Sequence, residues 1–310
     1  MIITKNLSVG YHSKNKKQFL FEDLNLQLNA GQLVCFMGPN GIGKSTLLRT
    51  LAHLQNPLAG EIKNTSGKNA ALVLTDRISS SNMTVYDLVT YGRYPYVNWD
   101  IELTEKDKEQ VDQAIDQVRI GSLKEKRLNE LSDGQMQMAI IARALAQDTP
   151  ILLLDEPTAH LDLNNRVEIM NLLRSLSRNM GKAILVTTHE LDLALQTADI
   201  VWLATADKKI KTGIPEDLVL DGSFDEVFKF KGFDLKTGRI EHEAHRRIAV
   251  QLIGEGHTYL WTKNALERCG FEVGEKSDMI VKVGPSENLY WEVAGKKIST
   301  LAEALSHLSK

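Results

Sequence analysis

The chain has 310 residues, of which 43% are hydrophobic and 25% charged, with a net charge of −3 at pH 7. That near-neutral balance excludes a sequence-wide basic footprint, and we expect no nucleic-acid partner. Two cysteines, Cys35 and Cys269, are too few for a disulfide framework, and no apolar run reaches the roughly 20 residues of a membrane span.

The first elements in chain order are short strands followed by a helix. Alternating apolar positions in residues 1–30 predict β-strands, and the apolar run LVCFM at 33–37 predicts a buried strand. The apolar period changes after Gly43, where leucines 47, 48, 51 and 54 share one helical face. A strand, a glycine-rich loop and a helix are therefore visible before any motif is considered.

The loop between that strand and that helix reads GPNGIGKS at residues 38–45, which fits the phosphate-binding pattern GxxxxGK[ST]. Its glycines allow successive backbone N–H groups to face one point, and the following helix directs its positive end there. Lys44 is expected to bridge the β- and γ-phosphates of a nucleotide, and the Ser45 hydroxyl to bind Mg²⁺. A chance match in a glycine-rich turn is the less favoured alternative.

Helices and strands alternate through the next part of the chain. In such a protein a mostly parallel sheet is expected, with ligands at the carboxyl ends of its strands. The predicted helices are 105–120, 136–147 and 167–181, and the predicted strands are 151–155 and 183–189.

Polar groups end both of those strands. Asp155 suits a water-mediated contact to Mg²⁺, and Glu156 suits a general base or water-positioning group for attack on the γ-phosphate. The imidazole of His189 is placed to hydrogen-bond the γ-phosphate and to hold Glu156 or the water in line. Alone, the acidic pair fits a solvated turn equally well and the histidine a structural role; the loop at 38–45 favours catalysis by Lys44, Glu156 and His189.

The sequence LSDGQ at 131–135 opens the helix at 136–147, and it resembles the LSGGQ signature of ATP-binding-cassette proteins. The resemblance covers residues 1 to about 240. It implies the α/β P-loop fold of that family: a mostly parallel sheet core, an antiparallel β subdomain and a helical subdomain that carries the signature. It also implies a head-to-tail homodimer in which each signature caps the ATP held by the partner's loop.

The resemblance assigns further residues one at a time. Ser132, Gly134, Gln135 and Asp162 are expected to reach ATP in trans, Asp162 from the turn AHLD at 159–162. Tyr11 resembles the aromatic residue that stacks on adenine, although an aromatic side chain at a strand end has a plain structural alternative. The residues expected to bind ATP within the chain are Tyr11, Gly38, Asn40, Gly41, Gly43, Lys44, Ser45 and Thr46.

Two positions depart from the family pattern. Asp133 replaces a glycine of the signature, and since a carboxylate beside a triphosphate is costly, we expect its side chain to point away from the nucleotide. The stretch VLTDRISSSNMTV lacks the glutamine that the family places near Mg²⁺ and the membrane partner. Asp76, or Thr75, is the nearest oxygen-bearing substitute, and Asp76 is a candidate Mg²⁺ ligand beside Ser45 and Asp155.

The segment MTVYDLVTYGRYPY at 83–96 resembles ATPases of iron–siderophore, haem and cobalamin importers. That resemblance implies permease contacts by Arg93, Tyr94 and Tyr96; a surface turn with amphipathic tyrosines is the alternative. The composition changes after about residue 240, which predicts an ATPase domain at 1–243 and a small α+β accessory domain at 244–310.

Together these features predict an ATPase subunit that uses ATP and Mg²⁺ to drive uptake through a separate integral membrane permease. An indirect partnership with a substrate-binding protein follows, as does a peripheral location on the cytoplasmic face of the inner membrane. A cytosolic ATP switch that is not coupled to transport is the alternative function, and an inactive nucleotide sensor is a third.

Overall fold

The structure is a computed structural model, and it describes most of the chain. Within the described residues, no helix is both long and apolar enough to cross a membrane. Thr75 and Asp76 lie outside the described residues. The ranges left out are 14–15, 65–69, 75–81, 97–101, 231–232, 236–238, 241–245, 247, 275–276, 286–288 and 309–310.

Chain contacts divide the molecule into two compact units, Met1–Lys229 and Phe230–Lys310. The boundary predicted between residues 243 and 244 falls inside the second unit, and it stays a prediction.

The first unit contains ten strands and eight α-helices among its described residues. The strands are β1 (Ile2–Ser13), β2 (Lys16–Leu24), β3 (Gln27–Leu28), β4 (Leu33–Met37), β5 (Ala59–Asn64), β6 (Ala71–Val73), β7 (Ile151–Asp155), β8 (Ala183–Thr187), β9 (Ile200–Ala204) and β10 (Ile210–Gly213). The helices are α1 (Lys44–Leu51), α2 (Val85–Thr90), α3 (Glu105–Gln117), α4 (Asp133–Ala146), α5 (Leu163–Met180), α6 (Leu191–Thr197), α7 (Pro215–Leu220) and α8 (Ser223–Phe228).

Two sheets organise this unit. The larger has the order β10-β9-β4-β8-β7-β6 and is parallel except at β10. Every residue of β4, β7 and β8 is buried, because strands of a parallel sheet are covered on both faces. In the smaller sheet β1 pairs antiparallel with β2, β3 and β5. The predicted combination of a parallel core and an antiparallel β subdomain is confirmed.

The main core joins both sheets to the helix that follows the glycine-rich loop. Phe21 of β2 packs on Phe36 of β4 with ring centroids 5.9 Å apart, and Phe36 packs on Trp202 of β9 at 6.4 Å. Leu47 and Leu48 of α1 are fully buried in the same cluster. The start of α1 is therefore fixed against the sheets by apolar packing.

Helices α2, α3 and α4 pack together as the helical subdomain, held in part by a buried ion pair. Arg93 lies in the 3₁₀ helix Tyr91–Tyr96 and is 6% exposed. Its Nε donates to Asp107 Oδ1 of α3 at 2.9 Å, and its Nη1 donates to the carbonyl of Ala146 in α4 at 2.8 Å. Arg93 is therefore not part of an exposed cluster, because its guanidinium is engaged inside the helical subdomain; its contact with a permease stays a prediction.

The second unit is a small α+β structure of its own. In its five-stranded sheet, β13 (Ala249–Ile253) runs parallel to β14 (Glu272–Gly274) and β15 (Ile280–Val283). Strands β15, β16 (Trp291–Val293) and β17 (Lys296–Ile298) form an antiparallel run. Its core includes Phe271 and Trp291, and Trp291 Nε1 donates to Thr262 Oγ1 at 2.8 Å. The α+β appendage is confirmed. Its other elements are β11 (Phe233–Asp234), β12 (Arg239–Ile240), α9 (Gly256–Arg268) and α10 (Leu301–Leu308).

Candidate nucleotide site

The glycine-rich loop connects the end of β4 to the start of α1, as its sequence pattern predicts. Gly43 is the residue before α1 and has φ 115°, a conformation that side-chain-bearing residues rarely adopt. A Cβ at this position would also lie 2.9 Å from Leu20 Cδ1. Glycine is therefore required at this position of the loop, whose backbone N–H groups are proposed to bind an anion. Asn40 and Gly41 are exposed at the tip of this loop, while Gly38 is buried at its base.

Lys44 is the first residue of α1 and is almost completely buried. Its Nζ donates to the carbonyl of Gly38 at 2.9 Å. Burial lowers the pKa of the Lys44 ammonium, and the carboxylates of Glu156 and Asp155 act in the opposite direction. The lysine therefore faces the predicted acidic pair across the carboxyl edge of the sheet.

Tyr11 and Thr46 also meet beside this loop. The Tyr11 hydroxyl and Thr46 Oγ1 share a hydrogen bond, which brings the end of β1 to the first turn of α1. The ring of Tyr11 remains about half exposed. The structure thus places a half-exposed aromatic side chain next to the first turn of α1, and adenine stacking on it stays a prediction.

The acidic pair is held by one hydroxyl of the neighbouring strand. Thr187 Oγ1 donates to Asp155 Oδ1 at 2.6 Å and accepts the backbone N–H of Glu156 at 2.9 Å. Glu156 has φ 48°, a strained value for a residue with a side chain. No sequence motif marks Thr187, and its role appears only because β8 pairs with β7 and places it beside Asp155.

His189 follows β8 and is brought to Glu156. Its Nδ1 lies 3.5 Å from Glu156 Oε1, and its Nε2 lies 3.9 Å from Glu190 Oε1. Half of the His189 side chain is exposed. Lys44, Asp155, Glu156 and His189 therefore converge on one edge of the sheet, as predicted.

Oxygen donors suitable for Mg²⁺ lie at this edge. Asp155 is 6% exposed and Ser45 lies in the first turn of α1. Carboxylate and hydroxyl oxygens are the ligands that Mg²⁺ takes together with substrate phosphates and water. Among the described residues, no group of three His, Cys, Asp or Glu side chains forms a metal cluster. The residues present fit an ion that is completed by a nucleotide.

The signature residues form the first turn of α4. Ser132 Oγ accepts the N–H of Gln135 at 3.3 Å, and Gln135 Oε1 accepts the N–H of Ser132 at 3.2 Å, a capping box. Gly134 is buried, and a Cβ there would lie 2.5 Å from Asn165 Oδ1. Asp133 is exposed at this positive helix end, which favours a carboxylate.

Asp162 caps α5 beside the signature. Its Oδ1 accepts the N–H of Asn165 at 2.9 Å, and its Oδ2 accepts Asn165 Nδ2 at 2.8 Å. The same Asn165 side chain blocks the space next to Gly134. The signature turn and the Asp162 turn are thus in direct contact within one chain; their reach to a second chain stays a prediction.

The tyrosines predicted to touch a permease are on the surface. Tyr94 and Tyr96 are 46% and 48% exposed, and Tyr94 packs edge-on against Tyr91 with ring centroids 4.5 Å apart. A cavity of about 330 Å³ adjoins Tyr91 and Tyr94 and reaches Asp87. The surface is aromatic and concave, and the arginine expected in it is buried instead.

Comparisons with known proteins agree with this geometry. Residues 21–159 match the ABC transporter family model, and residues 247–309 match the iron ABC transporter C-terminal domain. An uncharacterized ABC transporter ATP-binding protein of Methanocaldococcus jannaschii is 38% identical over 78% of this chain and 89% of its own length. The petrobactin import ATP-binding protein of Bacillus anthracis is 36% identical over 74% of this chain and 86% of its own. A dimeric structure of a bacterial ABC transporter cassette has 25% identity and a TM-score of 0.58, covering 69% of this chain and 99% of that one.

Proposed function

This chain belongs to the ABC transporter ATP-binding proteins and is an ATPase, and from that premise we propose that it powers import of an iron–siderophore complex through a separate membrane permease. One observation carries the choice of cargo: an ATPase cassette is followed at 247–309 by a match to the iron ABC transporter C-terminal domain. A probable siderophore transport system ATP-binding protein of Bacillus subtilis, 35% identical over 85% of its own length, supports the same class. Haem and cobalamin are the less favoured cargoes.

In the proposed reaction, each group at the sheet edge has one task. Lys44 neutralises charge on the β- and γ-phosphates, and the N–H groups of residues 40–43 hold their oxygens. Glu156 orients or deprotonates the attacking water, and His189, 3.5 Å from that carboxylate, keeps it in line. Bound Mg²⁺ would supply charge neutralisation, with Ser45 and Asp155 as the residues that hold it.

The second half of the nucleotide site is proposed to come from another copy of the chain. Ser132, Gly134, Gln135 and Asp162 lie together at the adjoining first turns of α4 and α5. The positive end of α4 and its exposed N–H groups suit a γ-phosphate. We therefore place these residues opposite Lys44 of the partner in a head-to-tail homodimer.

Coupling to transport is proposed at the tyrosine surface. Tyr94 and Tyr96 would dock the permease at the cytoplasmic face of the inner membrane, where the chain is peripheral, and a substrate-binding protein would act indirectly. Exposed aromatic side chains are common anchors at protein interfaces. Arg93 would act indirectly by supporting Tyr96, since its guanidinium lies 4.3 Å from the centre of the Tyr96 ring.

Uptake measurements test the proposal. Cells that lack this chain are complemented with the wild type, Glu156→Gln, or the double variant Tyr94→Ala/Tyr96→Ala, and accumulation of a radiolabelled ferric siderophore, haem and cobalamin is compared. We expect the wild type alone to restore siderophore uptake, and the tyrosine variant to keep its ATPase activity when purified. Siderophore uptake that is unchanged when the chain is absent would contradict the transport function and favour an uncoupled ATP switch.

A further inference from the structure

An arginine in the first turn of α5 joins two loops of the catalytic edge. Arg166 Nε donates to the carbonyl of Leu161 at 2.6 Å, in the turn that leads to Asp162. Arg166 Nη1 lies 2.7 Å from Glu190 Oε1, in the loop that carries His189. The two side chains are 30% and 20% exposed. One guanidinium thus binds both loops, a task for which its fixed fork of donors is suited.

The position of the Glu190 carboxylate matters because it lies next to the imidazole of His189. The His189 ring lies between two carboxylates, with Nδ1 3.5 Å from Glu156 and Nε2 3.9 Å from Glu190. Glu190 is anchored at its backbone, where its N–H donates to Thr188 Oγ1 at 3.0 Å. Arg166 binds the Glu190 carboxylate. In this position the carboxylate is 3.9 Å from His189 Nε2, which is too long for a hydrogen bond.

We propose that Arg166 is a positioning residue for ATP hydrolysis, which keeps Glu190 away from the imidazole of His189 so that the ring stays directed toward Glu156. Without Arg166, the Glu190 carboxylate is free to accept a hydrogen bond from Nε2 and to draw the ring away. The cost falls on the chemical step, because a small misplacement of a catalytic group slows it strongly.

The same turn of α5 also reaches the signature. Asp162 binds Asn165, and Asn165 packs against Gly134 at the start of α4. One rigid turn therefore contacts the signature through Asn165 and the histidine loop through Arg166. This step rests on the proposed head-to-tail dimer: closure on the partner's nucleotide would be transmitted through that turn to the chain's own His189.

The chain offers a matched control on the same helix. Arg178, near the other end of α5, pairs with Asp199 at 2.9 Å, and its side chain is 52% exposed. Arg178→Gln removes an arginine–carboxylate pair from α5 without touching the catalytic edge. A purely structural role of Arg166 predicts that Arg166→Gln and Arg178→Gln behave alike.

The test measures kcat, KM, nucleotide affinity and thermal stability of the full chain for Arg166→Gln, Arg178→Gln, Glu190→Gln and Arg166→Gln/Glu190→Gln. We expect Arg166→Gln to lower kcat by roughly 10- to 100-fold with KM and nucleotide affinity changed less than about twofold. The double variant should recover part of the lost kcat, since the neutral amide introduced by Glu190→Gln competes less for His189 than a carboxylate does. Arg178→Gln should keep wild-type kcat.

Two outcomes would overturn this role: equal kcat for Arg166→Gln and Arg178→Gln, or a double variant whose loss is the product of the single losses. A separate dimerisation measurement distinguishes a failure of the Arg166 role from a failure of the proposed dimer. In a Glu156→Gln background, Arg166→Gln should still dimerise with ATP. Failure of the Glu156→Gln parent to dimerise would count against the proposed dimer and leave the kinetic arm standing.

Discussion

The sheet edge and the signature turn are the two regions proposed to bind phosphate, and they differ in how their side chains are held. At the sheet edge, Thr187 fixes Asp155 and Glu156, and Lys44 is buried against them. At the signature turn, the Ser132 and Gln135 side chains each accept the backbone N–H of the other residue, at a helix end where Ser132 is exposed. The contrast fits the proposal that the sheet edge forms one half of the nucleotide site and that the exposed signature turn forms the other half only with a second chain.

The largest expected effect on turnover comes from the sheet edge. Glu156→Gln removes the proposed base while keeping size and hydrogen-bonding capacity, so ATP hydrolysis should fall by roughly 10³-fold with nucleotide affinity retained. Steady-state ATPase assays and nucleotide titration measure the two. Glu22→Gln, at a partly exposed glutamate paired with Lys208, is the control and should leave both unchanged. Normal hydrolysis in Glu156→Gln would remove this residue from its role.

The second-largest effect is expected at the signature turn, where a substitution should impair dimerisation but not nucleotide binding by the single chain. In Gly134→Ala, the new Cβ meets Asn165 Oδ1, and the Asn165 side chain cannot move away without breaking its Nδ2 hydrogen bond to Asp162. We expect hydrolysis to fall by about 100-fold and ATP-dependent dimerisation to be lost, while the isolated chain still binds nucleotide. Gly121→Ala is the control, because its Cβ would meet only Asp116 Oδ1 at 3.7 Å. Full dimerisation by Gly134→Ala would refute the tight fit at the signature.

A smaller effect is expected from the hydroxyl that supports the acidic pair. Thr187→Val keeps the shape of the side chain but removes the donor to Asp155 and the acceptor for the Glu156 N–H. We expect activity to fall by roughly 10-fold, as for other groups that orient catalytic residues, and the free energy of unfolding to drop by about 1–3 kcal/mol. Thr187→Ser should restore both, and its failure to do so would show that the methyl group matters instead.

The smallest effect on turnover is expected from the Arg93–Asp107 pair, which touches neither half-site. Hydrogen bonding from Thr104, together with the Arg93 guanidinium, lowers the pKa of Asp107 below its ordinary value of 3.8. A carboxyl group with a lowered pKa stabilises the fold above its unfolded pKa, and that stability is lost as the pH falls through the folded pKa. Asp107→Asn should therefore cost stability at neutral pH, on the order of 3 kcal/mol.

Denaturant unfolding at several pH values measures the stability cost of Asp107→Asn. The difference between the wild type and Asp107→Asn should shrink as the pH falls below about 4. Asp112→Asn, which breaks a more exposed pair with Lys124, is the control and should cost less than about 1 kcal/mol. A difference between the wild type and Asp107→Asn that does not depend on pH would contradict the lowered pKa.

Much of the fold could be predicted from the sequence, because its strongest patterns are local. The apolar runs at β4 and β7 identify buried parallel strands, and Gly43 with Lys44 marks the loop between strand and helix. Helices α4 and α5 begin earlier than the predicted starts at residues 136 and 167, at Asp133 and Leu163. Their caps, Ser132 and Asp162, belong to motifs that periodicity alone treats as loops.

The remaining features depend on contacts between distant parts of the chain. Arg93 follows a glycine and stands among tyrosines, which favours a surface position, but Asp107 and Ala146 bury it. Arg166 and Thr187 carry no motif, and their roles appear only when Glu190 and Asp155 are brought beside them. Sequence patterns report burial along one element; they do not report which side chain of another element satisfies a charge.

The most direct test of the two-chain site mixes two defective copies. Lys44→Ala destroys the phosphate loop and Ser132→Arg blocks the signature, so each preparation alone should be inactive. In a mixed dimer, the loop of the Ser132→Arg chain meets the intact signature of the Lys44→Ala chain, and ATP hydrolysis in the equimolar mixture should rise well above both separate backgrounds. A mixture of folded chains that stays at background would contradict a nucleotide site shared between two copies.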